Sequence, residues 1–163
     1  MPADIKEISI DKAPDVQLIV GHAGFIKTPE DLYEALINAV PGIEAGIAFV
    51  EASGPCLVRT EGNSKELEEQ AGKAALSIAA GHTFVILFRK AYPINVKESV
   101  ARVPEVSTIY CATANPVQLI VADTHDGRAI LGVVDGSTAK GLEGEEDKRA
   151  RRDFLRKLGY KLG

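Results

Sequence analysis

A glycine delivers an imidazole at a junction of two patterns in this chain. Gly81-His82 follows a run with helical apolar spacing and precedes the apolar run Thr83-Phe84-Val85-Ile86-Leu87-Phe88. Histidine changes charge near neutral pH, and its neutral ring can take up a proton or a phosphoryl group. The structural alternative for His82 is closure of a helix C-terminus, where the helix dipole favours a cation. His22 and His125 lie in Gly21-His22-Ala23-Gly24 and Thr124-His125-Asp126-Gly127, whose glycines and aspartate read as turns. Lys27-Thr28, just ahead of a helix, would place an ammonium, a hydroxyl and free backbone N–H groups at a helix N-terminus, a ready anion site. Capping alone also accounts for Thr28. Glu51 ends a strand beside the turn hydroxyl of Ser53, while Asn115-Pro116 and Asp135-Gly136 stand at strand ends, where turn chemistry explains them first.

Phosphate-loop and dinucleotide signatures are absent: there is neither Gly-x-x-x-x-Gly-Lys-Ser/Thr nor Gly-x-Gly-x-x-Gly between a strand and a helix, and no His-Glu-x-x-His. Cys56 and Cys111 have neither metal-ligand spacing nor the density of a disulfide framework, so both are expected as small core residues in a reducing compartment. No protein-held metal site is read from the sequence. With 19 basic and 23 acidic residues, a net charge of −4 and a pI near 5.4, the chain offers no broad basic face for nucleic acid. It has no signal-peptide pattern and no apolar run near the roughly 18 residues of a membrane span, which points to the cytoplasm and away from membranes. Its 163 residues, 45% of them hydrophobic, suit one domain over residues 1–163 with a sizeable core.

The elements that must position these groups follow from periodicity and punctuation. Strands are expected over Ile5 to Ile10 and Val16 to Val20. A helix begins at Thr28-Pro29-Glu30-Asp31, with Thr28 as the cap, carries Leu32, Leu36 and Val40 on one face and stops at Pro41-Gly42. Gly46 to Glu51 and Pro55 to Thr60 read as a hairpin around Ala52-Ser53-Gly54. A second helix from Ser64 aligns Leu67, Ala71, Ala74, Ala75 and Ile78 and takes Gly81 as its C-terminal glycine. After the strand from Thr83, Asn95 and Glu98 mark a short helix ending before Pro104. Strands follow over Val106 to Cys111, Val117 to Ala122 and Ala129 to Val134, then a charged helix over Glu145 to Leu158 closed by Gly159. The fold class is therefore mixed α/β (α+β), a single-domain sandwich with about four helices and a sheet of both parallel and antiparallel pairs.

In order along nearly the whole chain, several segments resemble the adenosine-specific kinase family. They are Phe25-Ile26-Lys27-Thr28 with Glu30 to Leu36, Gly46 to Gly54, Gly81-His82-Thr83-Phe84, Tyr92-Pro93-Ile94-Asn95-Val96, Pro104-Glu105-Val106, Cys111 to Pro116, Gly127-Arg128, Ile130 to Gly136 and Leu158-Gly159-Tyr160-Lys161. One departure stands out: the family often has histidine just before Phe-Ile-Lys-Thr, where this chain has Gly24, with His22 two positions earlier. The resemblance implies that His82 is phosphorylated beside a pocket for adenosine or AMP, in a homo-oligomer, a trimer as best guess. The function expected is transfer of a phosphoryl group to the 5′-hydroxyl of adenosine through His82, from a donor such as ATP with or without Mg2+. Lys27 and Thr28 would hold phosphoryl oxygens, Glu51 or Asp135 would orient the imidazole or accept the hydroxyl proton, and Ser53, Thr113 and Asn115 would meet ribose and base edges. Two alternatives remain open: a non-enzymatic adenosine or adenine-nucleotide sensor, and an oligomerising domain without ligand.

Overall fold

Apolar runs without polar alternation, such as Phe84 to Phe88, belong to strands covered on both faces. The computed structural model of the protein, which describes residues 2–163, has that arrangement. In chain order the elements are β1 (Asp4–Ser9), β2 (Gln17–Ala23), α1 (Thr28–Ala39), β3 (Glu44–Val50), β4 (Val58–Gly62), α2 (Lys65–Ile78), β5 (Thr83–Arg89), α3 (Pro93–Ala101), β6 (Val106–Thr113), β7 (Val117–Asp123), β8 (Arg128–Asp135) and α4 (Glu145–Lys157).

One sheet has the order β4-β3-β5-β2-β6 and the other β1-β7-β8. The fold class, a mixed α+β sandwich with four helices, is the expected one, with a single correction. Every strand pair described is antiparallel, so the sheets are not mixed. The helical crossovers explain why the sequence suggested otherwise. Each of β2-α1-β3, β4-α2-β5 and β5-α3-β6 joins two strands that run the same way, as such crossovers do. In each case a third strand lies between the two, pairing antiparallel with both: β5, β3 and β2 respectively. The parallel relationships survive only between next-nearest strands.

Alternation in the central strands assigns the layers. Ile19, Ile47, Phe49, Phe84, Ile86 and Phe88 pack under Leu32 and Leu36 of α1 and Val96 and Val100 of α3. Leu18, Val20, Ala48, Val85 and Leu87 pack against Leu67, Ala71, Ala75 and Ile78 of α2 and against Leu119 and Val121 of the smaller sheet. Gly46 lets α2 lie directly on β3, since a Cβ there would stand 2.1 Å from Glu68 N.

Several boundaries differ from the sequence reading for local reasons. The Ser64 hydroxyl caps α2 as expected, accepting from Leu67 N–H, but the helix ends in left-handed Ala79 and not at Gly81. Gly81 is needed for closeness instead: a Cβ on it would meet Ala52 Cβ at 2.9 Å. The hairpin loop is longer than expected because Glu51 bridges it, its N–H donating to Leu57 O at 3.1 Å and its carboxylate accepting from Leu57 N–H at 2.9 Å. Cys56 lies exposed in that loop, contrary to the core position expected, while Cys111 is buried. Burial pushes the Cys111 thiol up to about 11. Among the described residues, no helix is long and apolar enough to cross a membrane.

Candidate functional site

His82 stands just before β5, in the left-handed region with φ +65°. For a residue with a Cβ that conformation is strained and persists only where neighbours impose it. Here the two flanking strands impose it: His82 N–H donates to Val50 O at 2.8 Å, and its carbonyl accepts from Ala23 N–H at 2.9 Å. The half-buried ring stacks on Phe49, with centroids 5.8 Å apart and planes 18° apart. It is clamped between β2 and β3 and does not cap α2, which removes the helix-closing alternative.

His22, which the sequence put in a turn, belongs to β2 and brings a second imidazole to the same place. The rings of His22 and His82 meet edge to face at 5.6 Å. His22 Nδ1 is 2.7 Å from Ser107 Oγ, and that hydroxyl donates its proton to His22 O at 3.1 Å. Nδ1 is thus taken up by the Ser107 hydroxyl in either tautomer of the ring. Burial first, and the charge of His82 second, hold the His22 imidazole below its usual value of 6.5.

Lys27 lies at the start of α1 on this end of the large sheet. Its Nζ is 2.7 Å from Asp31 Oδ2 and 3.4 Å from Glu105 Oε1. Thr28 is not the cap expected. Lys27 occupies the cap position, and the Thr28 hydroxyl turns back to donate to Phe25 O. Nor is the helix end open to anions as expected. Thr28 N–H donates to Phe25 O, Pro29 has no N–H, and Asp31 N–H donates to Lys27 O, which leaves Glu30 alone in the first turn.

Glu51 sits beside the site but is committed elsewhere. Its carboxylate lies 3.2 Å from Arg59 Nη2, and the Leu57 N–H bond first, then Arg59, holds it below the ordinary carboxylate value. Ser53 lies exposed in the 51–57 loop, next to the Ala52 that packs on Gly81.

Thr113, Asn115 and Asp135 form a separate cluster. Asp135 Oδ1 accepts from Thr113 Oγ1 at 2.9 Å and from Asn115 Nδ2 at 3.0 Å, and Asn115 N–H donates to Thr113 Oγ1 at 3.1 Å. Thr113 pairs with Leu18 at the far end of β2, whereas His22 pairs with Thr108. Four residues of strand at roughly 3.3 Å each separate the two groups by about 13 Å. Within one chain, the sequence-read site is therefore two sites. His125 is exposed in the β7–β8 turn, beside Asp126, and reaches neither.

Phe49, Asp31, Glu105 and Ser107 carry no local mark of a site: β3–β5 pairing brings Phe49 to His82, β2–β6 pairing brings Ser107 to His22, and Asp31 and Glu105 meet at Lys27.

A model of the family described as adenosine specific kinase matches residues 8–161. The chain is also similar to the crystal structure of the PH1918 protein from Pyrococcus horikoshii OT3, with 49% sequence identity over 99% of each chain and a TM-score of 0.96. No curated protein matches.

Proposed function

The chain belongs to the adenosine-specific kinase family, and on that premise we propose that it converts adenosine to AMP with His82 as the residue that carries the phosphoryl group. A lone pair on the imidazole attacks the terminal phosphorus of a donor such as ATP, the N–P bond forms, and the bond to the departing ADP oxygen breaks. The 5′-hydroxyl of adenosine then attacks the same phosphorus, the N–P bond breaks, and the hydroxyl proton passes to a base. Splitting one displacement into two requires a nucleophile fixed in position, because such transfers depend mainly on placement and charge stabilisation.

The observation that carries this reading is the fixed, strained His82. Two inter-strand hydrogen bonds hold its backbone, and Phe49 and His22 hold its ring. A half-exposed Lys27 on the same sheet end supplies positive charge for phosphoryl oxygens, and Ser53 is the nearest of the proposed sugar-binding hydroxyls. Neutral His22, engaged only through Nδ1 by Ser107, is better free to take the hydroxyl proton than Glu51, which Arg59 and Leu57 engage.

We also propose that the protein is a homo-oligomer, with a trimer as the simplest assembly, acting in the cytoplasm. In support, α4 has no buried residue, and Phe154, Leu158 and Leu142 stand exposed on or beside it, as does Leu131 on β8. Apolar surface of this kind marks contact with another protein surface.

Incubating the full chain with adenosine and ATP and separating the nucleotides decides the reading. Equal amounts of AMP and ADP are expected. Adenosine-dependent stabilisation without AMP would make the protein a sensor instead.

A further inference from the structure

Glu105 is the least satisfied charged side chain beside the site. Its side chain is 5% exposed, and its carboxylate oxygens find no partner beyond the Lys27 ammonium and the Asp31 carboxyl beside it. A buried carboxylate in that state is costly unless a cation neutralises it. The nearest is the Lys27 ammonium, 3.4 Å from Oε1, and that ammonium is nearer to the Asp31 carboxylate, at 2.7 Å. One positive charge is thus shared by two negative ones.

The two carboxylates come from separate elements, Asp31 from the first turn of α1 and Glu105 from the residue before β6. Glu105 O accepts from Gly24 N–H while His82 O accepts from the neighbouring Ala23 N–H. Glu105 and His82 therefore flank β2 on opposite sides, about two strand spacings or roughly 10 Å apart.

We propose that Asp31 and Glu105 form a binding site for a divalent cation of the Mg2+ or Mn2+ type, in which the ion takes the place of the Lys27 ammonium. Hard oxygen donors select these ions, and Mg2+ is commonly held by one or two carboxylates, with waters and phosphate oxygens filling its remaining positions. Exchanging one positive charge for two balances both carboxylates. It also releases the half-exposed Lys27 side chain toward the His82 end.

The test is titration of the full chain with Mn2+, followed by electron paramagnetic resonance, with Mg2+ as competitor and no nucleotide present. Its outcome is thereby independent of whether the protein phosphorylates adenosine. One Mn2+ per chain is expected, displaced by Mg2+. Asp31→Asn and Glu105→Gln should each weaken binding by about tenfold or more. Lys27→Met should tighten it several-fold, because the ammonium competes for the same place, whereas a lysine that merely supports the local fold would give the opposite sign. If Glu105→Gln fails to fold, the partly exposed Asp31 and Lys27 variants still decide the matter. Absence of Mn2+ binding in both the unmodified chain and Lys27→Met overturns the proposal, as does binding that Asp31→Asn leaves unchanged or Lys27→Met weakens.

Discussion

His22 and His82 meet edge to face, ring centroids 5.6 Å apart and planes 67° apart, so a charge on His82 is felt by His22. Burial is the larger cause of the lowered His22 value, and His82 the smaller. In a proton-detected titration, His22 should therefore titrate below 6.5. His82→Gln should move it upward but not fully back, since burial remains. A depressed imidazole binds fewer protons folded than unfolded. Its stabilising contribution is thus complete above the unfolded value and is lost as pH falls through the folded one. A His22 that titrates normally in the unmodified protein would contradict the packed pair.

If His82 carries the phosphoryl group, the chain given a labelled donor should take up an acid-labile label. His82→Gln should lose it while staying folded, and AMP formation should fall by about a thousandfold or more. His125→Gln, at an exposed turn, should label normally. Label retained in His82→Gln would falsify the phosphohistidine route.

Asp135→Ala removes the acceptor that holds both Thr113 and Asn115. The expected loss is about 1–3 kcal/mol of stability, the cost of leaving donors unpaired. The melting-temperature rise caused by adenosine should not change, because this cluster lies at the other end of β2. A selective loss of that ligand effect would return Asp135 to the pocket.

Arg128 links the smaller sheet to α2. It donates to Ser77 O and Ile78 O at the end of α2, and it pairs with Asp123. Arg128 first, and Lys6 second, hold the Asp123 carboxyl down at about 2. A carboxylate depressed in the folded state stabilises above its unfolded value and ceases to do so as pH falls through the folded one. Melting temperature should thus decline from about pH 4 to pH 2, and Asp123→Asn should start lower and show a shallower decline. Equal slopes for the two proteins would remove Asp123 from the acid response.

Gly46→Ala tests the contact between α2 and β3. The added methyl would meet backbone atoms of Leu67 and Glu68 at 2.1 Å, and backbone cannot rotate away. A loss of about 2–3 kcal/mol, visible as an earlier denaturant midpoint with an unchanged slope, is expected. Gly72→Ala, whose nearest neighbour is the Thr60 methyl at 3.4 Å, should be nearly neutral.

Local chemistry in the sequence determined the helices and strands. Ser64 capping α2, Asn95 Oδ1 accepting from Tyr92 N–H at the start of α3, and left-handed Gly159 after α4 act within a few residues, where backbone rules apply directly. The unbroken apolar run of β5 likewise determined that it would be covered on both faces. Only the tertiary structure decided the strand order and the make-up of the site. Insertion of β5 between β2 and β3 turned apparent parallel units into antiparallel pairs, and the same insertion gave His82 its clamp on Val50 and Ala23. Pairing of β6 on the other side of β2 brought Ser107 to His22 and Glu105 to Lys27, and it carried Thr113 and Asn115 to the opposite end. Hydrogen-bond registers between strands distant in sequence depend on the whole core packing at once, and no spacing within one segment encodes them.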